Sequence, residues 1–164
     1  MKTAKDWLVS LGLEAHEEGG YFRRTYTSQT AVHEGVSKVM MSSIFYMLTR
    51  DSPIGFLHKN RSDIMHYFHA GSSLDYYLID SDGELSQVRL GADLDKGEVL
   101  QLLVKGGSWK ASRLPEGGEY GLISEAVVPG FDYSDRLLID PENANRLIQR
   151  YPELREFVPP SPGL

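Results

Sequence analysis

The sequence predicts an all-β fold, an antiparallel sandwich or barrel with a short helix at each end. Three observations carry that prediction. From Ser42 onward the hydrophobic period is two rather than 3.6. The alternating segments are short, as half-buried strands are. Between them lie closely spaced turn clusters: Asp51-Ser52-Pro53, Ser81-Asp82-Gly83, Gly106-Gly107 and Pro115-Glu116-Gly117-Gly118.

Taken in order, the chain opens with a helix over about 3–12. Thr3 caps it, Asp6 stands at the capping-box spacing and Gly12 ends it. Trp7, Leu8 and Leu11 form one apolar face, which places this helix on the outside of the domain. Glu17 to Gly20 turn into YFRRTYTS, where alternation sends Tyr21, Arg23 and Thr25 one way and Phe22, Arg24 and Tyr26 the other. Residues 27–37 are polar and turn-rich, the pattern of a mobile loop. Strands are predicted over Ser43–Thr49, Ile54–His58, Ile64–His69, Leu74–Asp80, Glu84–Leu90, Val99–Val104, Trp109–Leu114 and Tyr120–Val128. Ser81-Asp82-Gly83 is the clearest hairpin turn. A second helix covers about 141–151, with Asp140 as cap, Pro141 at its first position and Leu147, Ile148 and Tyr151 on its apolar face. Pro152 and the Pro159–Pro162 tail follow. With no internal repeat and no boundary signal, residues 1–164 read as one domain, its barrel spanning about 20–138.

Composition narrows the function classes. Seventeen basic against 23 acidic residues give a net charge of −6, and the basic ones are scattered. Nucleic-acid binding is therefore not expected, because a phosphate backbone calls for a basic stripe. The absence of cysteine excludes disulfides and thiolate catalysis. No apolar run approaches the ~18 residues of a membrane span, and the N-terminus lacks the apolar core of a secretory signal. A cytoplasmic protein with no membrane partner is the expectation.

Chemistry concentrates in GFLHKNRSDIMHYFHAG, Gly55 to Gly71. Three of the five histidines, His58, His66 and His69, fall here among apolar and aromatic residues. Imidazole suits both proton transfer near neutral pH and metal ligation. His16 and His33 read as surface residues. Glu125 interrupts the apolar run ISEAVVPG; alternation points it away from the face that carries Tyr120, a bulge would reverse that, and its facing stays open at this point. Lys110 beside Trp109 reads either as a cavity cation or as a solvated lysine. Arg23 or Arg24, after the Gly-Gly turn, is placed to meet an anionic ligand group or to pair with an acid.

The segments EGGYFRRTYTS, HKNRSDIMHYFHAG, LGADLDKGE, Gly107–Ser112 and SEAVVPGFDYSD, in this order, resemble the cupin superfamily, and within it the DUF985 or cupin-5 family. The resemblance runs from about Leu11 to Leu138. It implies a double-stranded β-helix, the cupin jelly roll, with a small-molecule ligand in its mouth. It also implies a homodimer. Metal-binding cupins carry His-x-His, Glu and a third His. Here His58 matches the second histidine, Phe56 stands at the first, Ile64 or Asp63 at the glutamate and Tyr120 at the third histidine. The resemblance therefore implies no resident cofactor. The alternative is a divalent metal held by His58, Asp63 and His66. If Ile64 faces the cavity, so do His66 and Phe68, while Met65, Tyr67 and His69 face away.

Deoxysugar-nucleotide epimerases of this superfamily use a histidine base and a tyrosine acid in a metal-free barrel. By that likeness His66 or His58 is the expected base and Tyr120 the expected acid. His58, Asn60, His66, Phe68, Tyr120, Ser124, Arg23 and Lys110 are the expected ligand contacts, and the ligand is sugar- or nucleotide-like. A metal-dependent enzyme and a non-enzymatic binding or scaffold protein are the alternatives.

Overall fold

A computed structural model describes residues 1–35 and 37–160. Val36 of the expected 27–37 loop and the end of the proline-rich tail, 161–164, lie outside the described residues. Helix α1 (Ala4–Leu11) leads into strands β1 (Glu14–Ala15), β2 (Tyr21–Thr27), β3 (Ser42–Thr49), β4 (Ile54–Asn60), β5 (Asp63–Gly71) and β6 (Leu74–Ile79). Strands β7 (Leu85–Leu90), β8 (Gln101–Val104), β9 (Trp109–Arg113), β10 (Tyr120–Val128) and β11 (Arg136–Leu138) follow, and α2 (Pro141–Arg150) comes last before a final 3-10 segment, Pro152–Phe157. The named strands pair antiparallel in two sheets, ordered β1-β2-β3-β10-β5-β8 and β11-β4-β9-β6-β7. This is the jelly-roll arrangement of the resemblance. No helix among the described residues is long and apolar enough to cross a membrane.

Alternation explains how the layers close. Tyr46 and Leu48 of β3, Val104 of β8 and Ile123 of β10 point inward and meet Leu74 and Tyr76 of β6 and Leu90 of β7. The outer faces are covered by the two helices. Met47, Tyr120 and Leu122 pack under Trp7, Leu8 and Leu11 of α1. Leu57, Tyr77, Trp109 and Ala111 pack under Ala144 of α2 and Leu154 and Phe157 beyond it. Burying each such large apolar side chain contributes about 1.5–3 kcal/mol.

Local signals act as anticipated. Thr3 and Asp6 form the capping box, and Gly12 ends α1 in the left-handed region at φ 60°. Asp140 caps α2 by accepting from Asn143 N. In the β6–β7 hairpin, Asp80 Oδ1 accepts from Asp82 N and Glu84 N, with Gly83 at φ 82°.

Register shifts interrupt strict alternation in β4 between Gly55 and His58 and in the β5–β10 pairing at Leu122/Ile123, and two further features stand out. A bulge at Thr25 makes Arg24 pair with Ile44 but Tyr26 with Ser43, so Tyr26 leaves the inner face that Phe22 and Arg24 share. Strand β11, unanticipated, adds to the edge of β4 through Arg136↔Asn60 and Leu138↔His58. It is three residues long with Leu137 and Leu138 exposed, which leaves no burial alternation to read.

Candidate functional site

A small cavity of about 50 Å³, open to solvent on one side, lies between the sheets. Its chemistry comes from the inward residues of four strands and from one turn. His58 stands on β4, His66 on β5, Lys110 on β9 and Glu125 on β10, while Glu18 comes from the turn before β2.

Three of these groups form a buried triangle. His66 and Glu125 are directly opposed across the β5–β10 ladder. Lys110 Nζ lies 3.0 Å from His66 Nε2 and 3.3 Å from Glu125 Oε1, and His66 Nε2 lies 3.1 Å from that same oxygen. The ammonium donates to Glu125 Oε1, and to His66 Nε2 in the tautomer that leaves that nitrogen its lone pair; in the other tautomer Nε2–H donates to Glu125 instead. Burial alone would raise the Glu125 carboxyl, but Lys110 and then His66 outweigh it and hold the group well below the usual range. Burial, with Lys110 second, pushes His66 down, so it is a neutral imidazole at pH 7.

A second pair faces it. His58 Nδ1 lies 2.7 Å from the Phe56 carbonyl. A carbonyl only accepts, so Nδ1 carries the proton and Nε2 keeps its lone pair. That lone pair faces Glu18 Oε2 at 3.4 Å. Burial and the Lys110 charge push His58 down to about 3, whereas burial raises Glu18 despite the opposing fields of His16, Lys110 and Arg136. Both shifts favour a protonated carboxyl beside a neutral imidazole. A carboxyl group whose pKa burial raises and an imidazole lone pair thus stand side by side on the cavity wall.

The turn that aims Glu18 is stapled to the barrel. Phe56 N donates to the Glu18 carbonyl (2.8 Å), Tyr46 Oη to that of Gly19 (2.9 Å), and Gly20 N to Ser52 Oγ (2.8 Å). Gly19 sits at φ 87°, and a Cβ there would lie 1.9 Å from the Ile54 carbonyl oxygen. Only glycine passes so close to β4. Arg136 of β11 closes the turn from the other side, 2.5 Å from Glu17 Oε1 and 3.0 Å from Glu18 Oε1.

The structure brings His58, His66, Asn60 and Lys110 together and separates the other expected residues. His58, Asn60 and Lys110 line the cavity, and His66 reaches it through Lys110 and Glu125. Tyr120 is corrected: it lies on the outer face under α1, where its hydroxyl accepts from Trp7 Nε1 (3.0 Å) and donates to the Lys2 carbonyl (3.3 Å). Ser124 shares that outer face and bonds to His69 Nε2 at 2.7 Å. The alternation along β10 is as expected, but the inner face is the one that carries Glu125, not Tyr120. Arg23 also faces outward, donating to the Leu11 carbonyl, and its neighbour Arg24 takes the cavity position. Phe68 faces inward but packs into the apolar core instead of the cavity. His16, read as a surface residue, lines the cavity, and its Nδ1 accepts from Glu18 N.

Sequence reasoning missed Glu18 as well. An acid in a Glu-Glu-Gly-Gly turn has no local signature of burial, and Glu18 is only 8% exposed. For Glu125 a signal existed, the charge within an apolar strand.

A divalent metal fits these residues poorly. It wants three or four N/O donors, and among the described residues no three His, Asp or Glu side chains form such a group. The alternative set of His58, Asp63 and His66 is not assembled, because Asp63 is exposed and accepts from Gly106 N. Where His66 and Glu125 do converge, the Lys110 ammonium already stands within reach of both.

Residues 5–139 match the family model described as Cupin superfamily (DUF985). An uncharacterised protein of Saccharomyces cerevisiae, YML079W, is 38% identical over 143 residues, covering 78% of this chain and 71% of the relative. Among solved structures, protein SO0799 of Shewanella oneidensis superposes with a TM-score of 0.86 at 35% identity, covering 98% of this chain and 100% of that one. A hypothetical protein from Leishmania major gives 0.83 at 30% identity over 96% and 99% of the two chains. The two-sheet fold, the order of its motifs and the family match agree: the chain belongs to the DUF985 family of the cupin superfamily.

Proposed function

We propose that the cavity binds a small polar metabolite, sugar- or nucleotide-like, and moves a proton on it as an acid/base isomerase or epimerase. The observation that carries this reading is the His58–Glu18 pair: an imidazole lone pair held by the Phe56 carbonyl, 3.4 Å from a buried carboxyl whose hold on its proton burial strengthens.

The reaction this supports is proton abstraction next to a carbonyl. His58 Nε2 takes the proton from the carbon, and the C–H electrons move into a C=C bond while the carbonyl oxygen gains charge. The free proton of Lys110 Nζ donates to that oxygen, and Glu18 supplies the proton that converts it to an enol. In the return step the Glu18 carboxylate takes back an O–H proton from the enediol, so that a carbonyl re-forms, while a proton adds to the former carbonyl carbon to give the isomer, or to the opposite face of the first carbon to give the epimer. His66 and Glu125 act through Lys110 by holding its ammonium in place. Preorganised charge of this kind, in a site removed from bulk water, supplies a large part of such barriers.

The test is isotope exchange. Protein incubated in D₂O with a metabolite extract is expected to place deuterium on one hydroxy-carbonyl species, read by mass spectrometry. Glu18→Gln and His58→Gln are expected to abolish the exchange. A folded protein that retains a metabolite but exchanges no proton on it would overturn the catalytic reading and leave a binding protein.

A further inference from the structure

We infer that Arg24 is an anion-binding residue at the cavity mouth, and that the ligand is a polyhydroxylated molecule of sugar size carrying a phosphate or carboxylate. This rests on the reading of the cavity as a ligand site. The bulge at Thr25 makes Arg24 the last inward residue of β2, and it lines the cavity while remaining exposed. The nearby cations are committed: Arg23 donates to the Leu11 carbonyl, Arg136 is shared by Glu17 and Glu18, and Lys110 by His66 and Glu125. Arg24 has no carboxylate partner among the described residues. Its guanidinium lies 5.4 Å from the centre of the Phe131 ring, which holds the fork in place without neutralising it. A planar guanidinium in this setting recognises a carboxylate or phosphate by two parallel hydrogen bonds.

The remaining wall defines the rest of the ligand. Asn60 presents a buried side-chain oxygen with no partner, an acceptor for a ligand hydroxyl. Phe22 and Phe131 offer apolar surface for the C–H face of a sugar. Register sets the length: Arg24 and Glu125 both pair with Ile44 from opposite sides of β3. Their Cα atoms are therefore about 10 Å apart, two strand spacings. That separation is of the order of the length of a pentose or hexose with a terminal anionic group.

Isothermal titration with inorganic phosphate, ribose 5-phosphate, gluconate and ribose tests this on the wild type, Arg24→Gln and Arg23→Gln. The expected result is that ribose 5-phosphate or gluconate binds while ribose does not. Arg24→Gln weakens that binding about ten- to a hundredfold, and Arg23→Gln leaves it unchanged. Preference for ribose 5-phosphate over gluconate assigns the anion to a phosphate, and the reverse to a carboxylate. Equal binding to Arg24→Gln, equal binding of ribose and its phosphate, or no binding of either anionic sugar would overturn the inference. The two proposals fail separately. Binding that His58→Gln abolishes and Arg24→Gln leaves untouched removes the anion contact alone. Arg24-dependent binding without proton exchange removes catalysis alone.

Discussion

Glu125 stands directly across the β5–β10 ladder from His66, and its carboxylate lies 3.1 Å from His66 Nε2 with the Lys110 ammonium between them in reach of both. These groups are between 0 and 7% exposed. Their mutual attraction only offsets their loss of hydration, so the cluster adds little net stability. Breaking it is another matter. Lys110→Met leaves a buried carboxylate uncompensated and is expected to destabilise the fold by roughly 3–5 kcal/mol. The double variant Lys110→Met/Glu125→Gln removes both charges and is expected to recover most of that loss. Urea unfolding of the single and double variants measures the coupling. Additive losses would show that the three groups do not act as a unit.

The same burial makes stability pH-dependent, and the sign follows from the shifts. His58 is pushed down to about 3, and His66 and His16 are lowered too, so the unfolded chain binds protons that the folded one refuses. Stability then falls as pH drops below the ordinary histidine value of about 6.5 and goes on falling towards 3, by up to ~1.4 kcal/mol per pH unit for each histidine. Glu125, lowered in the fold, adds to the loss below the ordinary carboxylate range. Glu18 is raised and works the other way: its contribution is present below its unfolded value and is lost as pH rises through its folded one. The urea midpoint is expected to decline steadily from pH 7 to 4, and less steeply in His58→Gln. A midpoint flat over this range would contradict the buried neutral histidines.

The strands are legible because Gly, Pro and Asp turns punctuate a period-two pattern, and both helices because their caps are local motifs. The histidine segment points to the right place for a related reason: His58 and His66 lie on strands that also carry the apolar alternation. What misleads is the choice of inner face on β10. Alternation along that strand separates Tyr120 from Glu125 but says nothing of which side a helix covers. The aromatic residue looks the better cavity group, yet α1 supplies its cover through Trp7, while Lys110 and His66 make burial of the Glu125 charge tolerable. That compensation is tertiary, between residues 15 to 113 positions apart, and no local pattern reports it. Glu18 is hidden for the same reason, its burial being made by Phe56, Tyr46 and Arg136 from distant strands.

Tyr120 gives a direct discriminating variant. Its hydroxyl joins Trp7 Nε1 to the Lys2 carbonyl and has no contact with the cavity. Tyr120→Phe is expected to cost about 1 kcal/mol through these two hydrogen bonds and to leave deuterium exchange and ligand binding unchanged. A Tyr120→Phe protein that is fully folded yet inactive would return the tyrosine to the reaction.

Gly19 couples the backbone to the chemistry. At φ 87° an added Cβ would stand 1.9 Å from the Ile54 carbonyl oxygen, so the turn has to move away from β4 to accept it. Glu18 is the preceding residue, and any such shift widens its 3.4 Å approach to His58. Gly19→Ala is therefore expected to lower stability by about 2 kcal/mol or more and to reduce proton exchange more than its stability loss explains. Gly107 is the control: it has φ 85°, and a Cβ added there would meet no atom within 4 Å. Gly107→Ala carries only the left-handed backbone penalty of roughly 1–2 kcal/mol and is expected to keep full exchange. Thermal unfolding and exchange rates measured on both variants separate strain from displacement. If Gly19→Ala loses no more function than Gly107→Ala at equal folded fraction, the placement of Glu18 against His58 is not what the turn is built to hold.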